Sequence, residues 1–276
     1  MDNNNSKKPV VLITGATSGI GKALAFHFGK NGYAVAFTAR NSENIRAVSN
    51  ELQNSGITAF GIAADVSKEE DCKKMTELTL EKFGRIDVLI NNAGISMRAL
   101  FEDLDLEVIR QVMDINFFGA VYATKYALPE IIKNKGTIVG ISSIAGYRGL
   151  AGRTGYSASK FALQGFLETI RCELMPYGVN VLTVAPGFTA SNIRKTALAA
   201  DGSAQGESPR DEQKMMSAEE CAEHIFKAVK KRRKILTLTA QGKLTVFLNK
   251  FFPVFMDKMV FNAMAKEPDS PLKKFI

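Results

Sequence analysis

The chain has 276 residues, a formal net charge of +8 and 46% hydrophobic residues, which suits one large α/β domain with a buried core and excludes wholesale disorder. Its three cysteines, Cys72, Cys172 and Cys221, lie far apart with no Cys-x-x-Cys pair, so neither a disulfide framework nor a zinc site is expected and a reducing compartment fits. The opening residues lack the basic-then-apolar order of a signal peptide, and no stretch reaches the roughly 20 apolar residues that span a bilayer, so a cytoplasmic location is expected.

Residues 1–8 are polar and read as disordered. The first β-rich run, Val10–Ile13, leads directly into Thr-Gly-Ala-Thr-Ser-Gly-Ile-Gly at 14–21, and 22–29 is compatible with a helix. Glycines there allow a tight turn and bring backbone N–H groups at a helix N-terminus close to a pyrophosphate, where the helix dipole favours negative charge. An ordinary strand-to-helix turn is the alternative. The second run, Ala34–Ala39, is followed by Arg40 and Asn41. An acidic residue at this place would bond ribose hydroxyls, whereas an arginine pairs with a 2′-phosphate, so Arg40 favours NADP(H) over a role as a merely solvated residue.

Further short apolar runs fall at 58–63, Val88–Asn91, Thr137–Ile141 and 180–184, with a last one at 235–239, and helix-like segments separate them. This alternation, with right-handed crossovers, predicts a single α/β domain: a Rossmann-type doubly wound parallel sheet with helices on both faces. Segment 190–216 is rich in Ala, Ser, Gly and charged residues and reads as a mobile loop or short helical lid over the strand ends. The basic run at 230–234 reads as a solvated helix end, and nucleic acid is not expected as a partner. From 241 onward, phenylalanines, methionines and lysines alternate as in one or two amphipathic helices, giving a catalytic domain over 9–240 and an extension over 241–276. Met215, Met216, Met256, Met259 and Met264 fit either a greasy pocket or core filling. Cys172 is expected to pack beside the helix that carries Tyr156.

Tyr156 and Lys160 stand four apart in Tyr-Ser-Ala-Ser-Lys, which puts both side chains on one helix face. A free phenol ionises near pH 10, too high for an efficient base at neutrality, but a neighbouring ammonium favours the phenolate. Ser143, after the 137–141 run, presents a hydroxyl to the same substrate oxygen; chemistry alone does not separate it from Ser142.

Taken together, these motifs resemble the classical short-chain dehydrogenase/reductase family, from about Val10 to Val184 and more loosely beyond. The resemblance implies a catalytic set of Asn116, Ser143, Tyr156 and Lys160. Ser143 is selected over Ser142 by its spacing from the tyrosine, and Asn116 is assigned a water linking Lys160 to solvent, the alternative being a structural amide that bends its helix. It also implies a cofactor site built from Gly15, Thr17, Ser18, Gly19, Ile20 and Gly21 in the glycine turn, with Arg40 after the second strand. Asp65 and Val66 would lie at the adenine and Asn92, Ala93 and Gly94 below the riboses, with Tyr156 and Lys160 also in the cofactor set; Pro186 and Gly187 would lie at the carboxamide, and Thr189 would partner a phosphate or the amide. A looser resemblance, carried by Tyr-Ser-Ala-Ser-Lys-Phe-Ala-Leu, by Thr-Ala-Arg at the second strand and by the apolar tail, points to the branch containing 11β-hydroxysteroid dehydrogenases. It implies reduction of an apolar or lipid-like ketone or aldehyde, a homodimer or homotetramer, and peripheral membrane contact through the tail. A catalytically idle NADP(H)-binding regulatory protein on the same fold is the competing expectation.

Overall fold

The computed structural model describes residues 8–209 and 211–276; all but Lys8 of the polar start expected to be disordered lies outside the described residues. Seven strands form one parallel sheet: β1 (Val10–Ile13), β2 (Ala34–Ala39), β3 (Ala59–Ala63), β4 (Val88–Asn91), β5 (Thr137–Ile141), β6 (Asn180–Ala185) and β7 (Ile235–Thr237). Their order across the sheet is β3-β2-β1-β4-β5-β6-β7. Every apolar run predicted as a strand is one. The last ends at Thr237 rather than 239 because Thr239 adopts a φ of 60° and its hydroxyl accepts the Gly242 N–H at 3.0 Å, capping the next helix.

Strand residues alternate between faces, and both faces of this sheet are covered, which is why the strands read as unbroken apolar runs. Val11 and Ile13 of β1 pack with Leu24 and Phe28 of α1 (Gly19–Lys30), Ile45, Val48 and Leu52 of α2 (Ser42–Asn54), and Ile225 of a later helix over residues 218–230. Leu12 points the other way, into a core with Met75 of α3 (Glu69–Phe83). That second core also takes Ala123 and Ile131 of α5 (Gly119–Lys133), and Leu163 and Leu167 of α6 (Thr154–Glu173). Between α4 (Leu106–Met113) and α5 the helix passes through one π turn, Asp114–Phe118, which holds Asn116.

The chain leaves β1 toward β2 and β3 on one side and returns to β4 on the other. The carboxyl ends of β1 and β4 therefore bound the crevice in which open α/β sheets bind ligands. Two further segments close over it. In 190–216, Thr189 pairs with Met216 at the ends, and Leu198 sits between Met97 and Ala204. After α7 (Ala218–Lys230) and β7, the chain forms α8 (Ala240–Phe251) and α9 (Pro253–Ala265). Met256, Val260 and Met264 of α9 are buried with Leu100 and Leu150 packed on them, while Leu244, Phe247, Phe251, Phe252, Val254 and Phe255 face outward and stay exposed. No helix among the described residues is long and apolar enough to cross a membrane. Cys172 corrects its expectation: it lies within α6 itself, near its end, and is exposed rather than packed.

Candidate functional site

A cleft of about 940 Å³ runs along the carboxyl ends of the strands. All the catalytic and cofactor-contacting residues expected from the sequence line it except Asn116, which sits behind the wall.

At one end is the glycine turn. Gly15 has a φ of +65°, and a Cβ there would stand 2.8 Å from the Ala93 Cα; one on Gly21 would stand 2.4 Å from the Gly15 carbonyl oxygen. Only glycine lets the turn press against the strand-β4 loop and still open helix α1 toward the cleft. The contact is fastened by side chains: Thr14 Oγ1 accepts the N–H groups of Asn92 and Ala93, each at 3.1 Å, and Asn92 Nδ2 donates to the carbonyls of Thr14 and Gly15 at 3.0 and 2.9 Å. Ser18, the N-cap of α1, makes no side-chain cap bond, so the first turn of the helix presents its N–H groups to the cleft. Arg40 follows β2 at the rim and is exposed; nearby, the Thr38 hydroxyl is buried with no hydrogen-bond partner among the described residues. The Asp65 carboxylate accepts from Ser67 N–H and Oγ at 3.1 and 2.8 Å, which fixes the β3 end of the cleft.

At the other end, helix α6 begins with Tyr156 and Lys160 facing inward. Lys160 Nζ lies 5.6 Å from the centre of the Tyr156 ring and donates to the Ile141 carbonyl at 3.0 Å. The Ser143 hydroxyl faces Tyr156 across the cleft wall and pulls its phenol toward ionisation, while its Oγ accepts from Ala145 N–H at 3.1 Å. Ser142 is spent elsewhere: it donates to the Lys160 carbonyl at 3.3 Å and accepts from Gln164 Nε2 at 2.9 Å. The structure thus separates the two hydroxyls that local chemistry left open. Burial pushes the Tyr156 phenol up, against the Ser143 hydroxyl and the guanidinium charges of Arg153 and Arg194, which pull it down. Burial also lowers Lys160 to about 8. A hydroxyl pair backed by a lysine of that basicity can pass a proton to or from an oxygen held between Ser143 and Tyr156.

Asn116 is pinned by its amide. Oδ1 accepts the Ile95 N–H at 2.8 Å, and Nδ2 donates to the Ile95 carbonyl and to Ser159 Oγ, each at 2.9 Å. These bonds brace the loop after β4 against α6. Thr189, buried after β6, donates to the Gly187 carbonyl at 3.3 Å.

Three groups of wall residues lie outside the motifs. Met256, Met259, Val260 and Met264 of α9 reach the cleft, whereas Met215 and Met216 do not, which divides the methionines that the sequence left undivided. Arg153 and Arg194 line it beside Tyr156, each held by a carboxylate: Glu267 for the first at 3.0 Å and Glu212 for the second at 2.5 Å. Leu150, Ile193 and Leu198 complete an apolar lining. Only the methionines carried a sequence signal; Glu267 reaches Arg153 from another segment, and Glu212 reaches Arg194 through the folding back of 190–216.

A model of the short chain dehydrogenase family matches residues 9–202, and the chain belongs to that family. Its relatives place it near the 11β-hydroxysteroid dehydrogenase-like branch. It is 36% identical over 266 residues to dehydrogenase/reductase SDR family member 7B of Xenopus laevis, covering 94% of this chain and 82% of the relative. It is 36% identical over 260 residues to 11-beta-hydroxysteroid dehydrogenase A of Arachis hypogaea, covering 90% and 73%. Among solved structures, an alcohol dehydrogenase of the archaeon Thermococcus sibiricus, complexed with 5-hydroxy-NADP, superposes with a TM-score of 0.75 at 27% identity, over 83% of this chain and 95% of that one.

Proposed function

We propose that the protein is an NADP(H)-dependent oxidoreductase that interconverts a carbonyl and a hydroxyl group, reducing an apolar or lipid-like ketone or aldehyde. The observation that carries this is a single cleft with a glycine cradle at one end and the Ser143–Tyr156–Lys160 group at the other. The cradle fits a dinucleotide: Gly15 and Gly21 leave no room for a side chain, and the free first turn of α1 suits a pyrophosphate. The turn from Gly15 to Gly21 would hold the pyrophosphate, Asp65 and Val66 the adenine side, and Asn92 to Gly94 the riboses, with Tyr156 and Lys160 at the nicotinamide end and Pro186, Gly187 and Thr189 at the carboxamide. Arg40 stands where a 2′-phosphate would be met and no acid stands at the end of β2 from Ala39 to Asn41, which supports NADP(H).

When bound, the cofactor supplies hydride to the carbonyl carbon and, in its oxidised form, takes it back. The chain supplies the rest. Ser143 holds the substrate oxygen by donating to it, and Tyr156 gives that oxygen its proton as the carbon is reduced, or removes it in the reverse direction. Lys160, anchored on the Ile141 carbonyl, keeps positive charge behind the phenol, which favours the phenolate left after proton transfer. The methionines of α9 and the leucines opposite them exclude water and suit an apolar body on the substrate. The relative named for a hydroxysteroid is in keeping with that. The exposed phenylalanines of α8 and α9, with Lys243, Lys250 and Lys258 on the same helices, support peripheral contact with a membrane surface.

The test is NADPH against NADH oxidation with ketones and aldehydes graded by chain length and polarity, with Tyr156→Phe as control. NADPH-dependent turnover rising with apolar size and lost in the variant is expected. Turnover with NADH alone would overturn the cofactor assignment, and tight cofactor binding without turnover on any member of the panel would favour the regulatory protein.

A further inference from the structure

The residues after α9 enter the site through one carboxylate as well as through apolar contact. Segment 97–99 is buried and runs along two stretches that line the cleft, Met97 beside Leu198 and Ala99 beside Arg153, with the Ala99 N–H donating to the Gly152 carbonyl at 3.0 Å. Glu267, just past the end of α9, meets the two arginines of these paired stretches. Arg153 Nη2 donates to its Oε2 at 3.0 Å, and Arg98 Nη2 lies 3.6 Å from the same oxygen. Side-chain exposures of 12% for Arg153, 7% for Arg98 and 5% for Glu267 place the triad out of water, where charges act strongly on one another. Arg98 is tied further to the chain end by donating to the Pro268 carbonyl at 2.5 Å. One carboxylate therefore holds two guanidiniums that would otherwise repel, and one of these, three residues before Tyr156, shares the cleft wall with it.

We propose that Glu267 is a positioning residue for proton transfer: it holds the Arg153 guanidinium at the cleft wall against repulsion from Arg98, so that the readiness of Tyr156 to ionise depends on the C-terminal segment. This rests on the reading of Tyr156 as the proton-transfer residue. Among the described residues, the charged groups facing the phenol are Lys160 on α6, Arg153 at the start of α6, Arg194 with its partner Glu212 from 190–216, and Glu267 with Arg98 behind it.

The direction of one shift decides the matter. If Arg153 stayed in place, removing the Glu267 charge would favour the phenolate and lower the titration midpoint; if Arg153 is released, the phenol loses its cation and the midpoint rises. The experiment is tyrosine ring-carbon NMR of the full chain with bound NADP⁺, titrated between about pH 6 and 11, a range chosen to bracket the ordinary phenol. The chain has six tyrosines, and the Tyr156 signal is the one missing in Tyr156→Phe. Glu267→Ala and Arg153→Met are each expected to raise the midpoint by about half a unit to one unit, and the double variant no further than Arg153→Met alone. A Glu267→Ala midpoint that matches the parent or falls below it overturns the proposal, even where melting temperature drops. Should the alanine variant not fold, Glu267→Gln carries the same expectation, since a neutral amide does not offset the repulsion. Turnover that survives in Tyr156→Phe would defeat the reading of Tyr156; an unmoved midpoint with turnover lost in Tyr156→Phe defeats only the role of Glu267.

Discussion

Lys160 is held at a thermodynamic disadvantage. Its ammonium is buried on the Ile141 carbonyl and its basicity falls from 10.5 to about 8, a difference worth about 3 kcal/mol against the folded state at neutral pH. A lysine lowered in this way binds fewer protons folded than unfolded between those two values, so stability contributed by relief of the penalty rises as pH climbs from about 8 to 10.5. Lys160→Met is therefore expected to unfold at a higher denaturant concentration than the parent at pH 7, by about 1–3 kcal/mol, with the gain shrinking above pH 8 and turnover lost at every pH. Equal or lower stability at pH 7 would show that the lysine is not penalised. The Tyr156–Lys160 pair was legible because four residues make one helical turn, and that geometry needs no tertiary information. Ser143 was separated from Ser142 only by resemblance, since the bonds that occupy Ser142 come from Gln164 and Lys160 on another element. Arg153 and Arg194 gave no signal at all: the first answers a carboxylate 114 residues away, and the second owes its place to the folding back of 190–216.

Among the elements, the strands were legible to within a residue or two, because a sheet buried on both faces leaves its mark as apolar runs with turns between them. The π turn around Asn116 was not, since nothing local distinguishes it from continuous helix. Segment 190–216 shows how a stretch of small and charged residues acquires a fixed path. Glu212 gathers it, accepting from Ser191 N–H at 3.1 Å, Ser208 Oγ at 2.6 Å and Arg194 Nε at 2.7 Å. Partial burial pushes the Glu212 carboxyl up, but these donors and the Arg194 charge outweigh it and hold the group at about 2. Because its folded value lies below the ordinary 4.5, the clasp contributes fully above that pH and is lost as pH falls from 4.5 toward 2. Glu212→Gln, which keeps the shape and removes the charge, is expected to speed amide exchange within 190–216 by about tenfold while leaving the sheet amides unchanged. Exchange that does not change would mean the segment is held by its bridges at Thr189 and Leu198 instead.

At the scale of the molecule, the cofactor end and the substrate end of the cleft draw on different parts of the chain. The cradle comes from β1, β2 and the loop after β4, and in the proposed reading its preference between the two dinucleotides rests on one rim position, Arg40. Arg40→Asp is expected to raise the KM for NADPH by about tenfold or more and to lower that for NADH, with kcat little altered, because the aspartate repels a 2′-phosphate and accepts from a ribose hydroxyl. An unchanged ratio of the two would remove Arg40 from cofactor selection. The substrate end is walled by α9 and locked by Glu267, both made after all seven strands. In chain order, then, the glycine cradle and the tyrosine helix precede the far wall. The dinucleotide cradle and the wall at the reactive end are therefore separable along the chain, so that α9 can change its lining residues without touching the glycine turn.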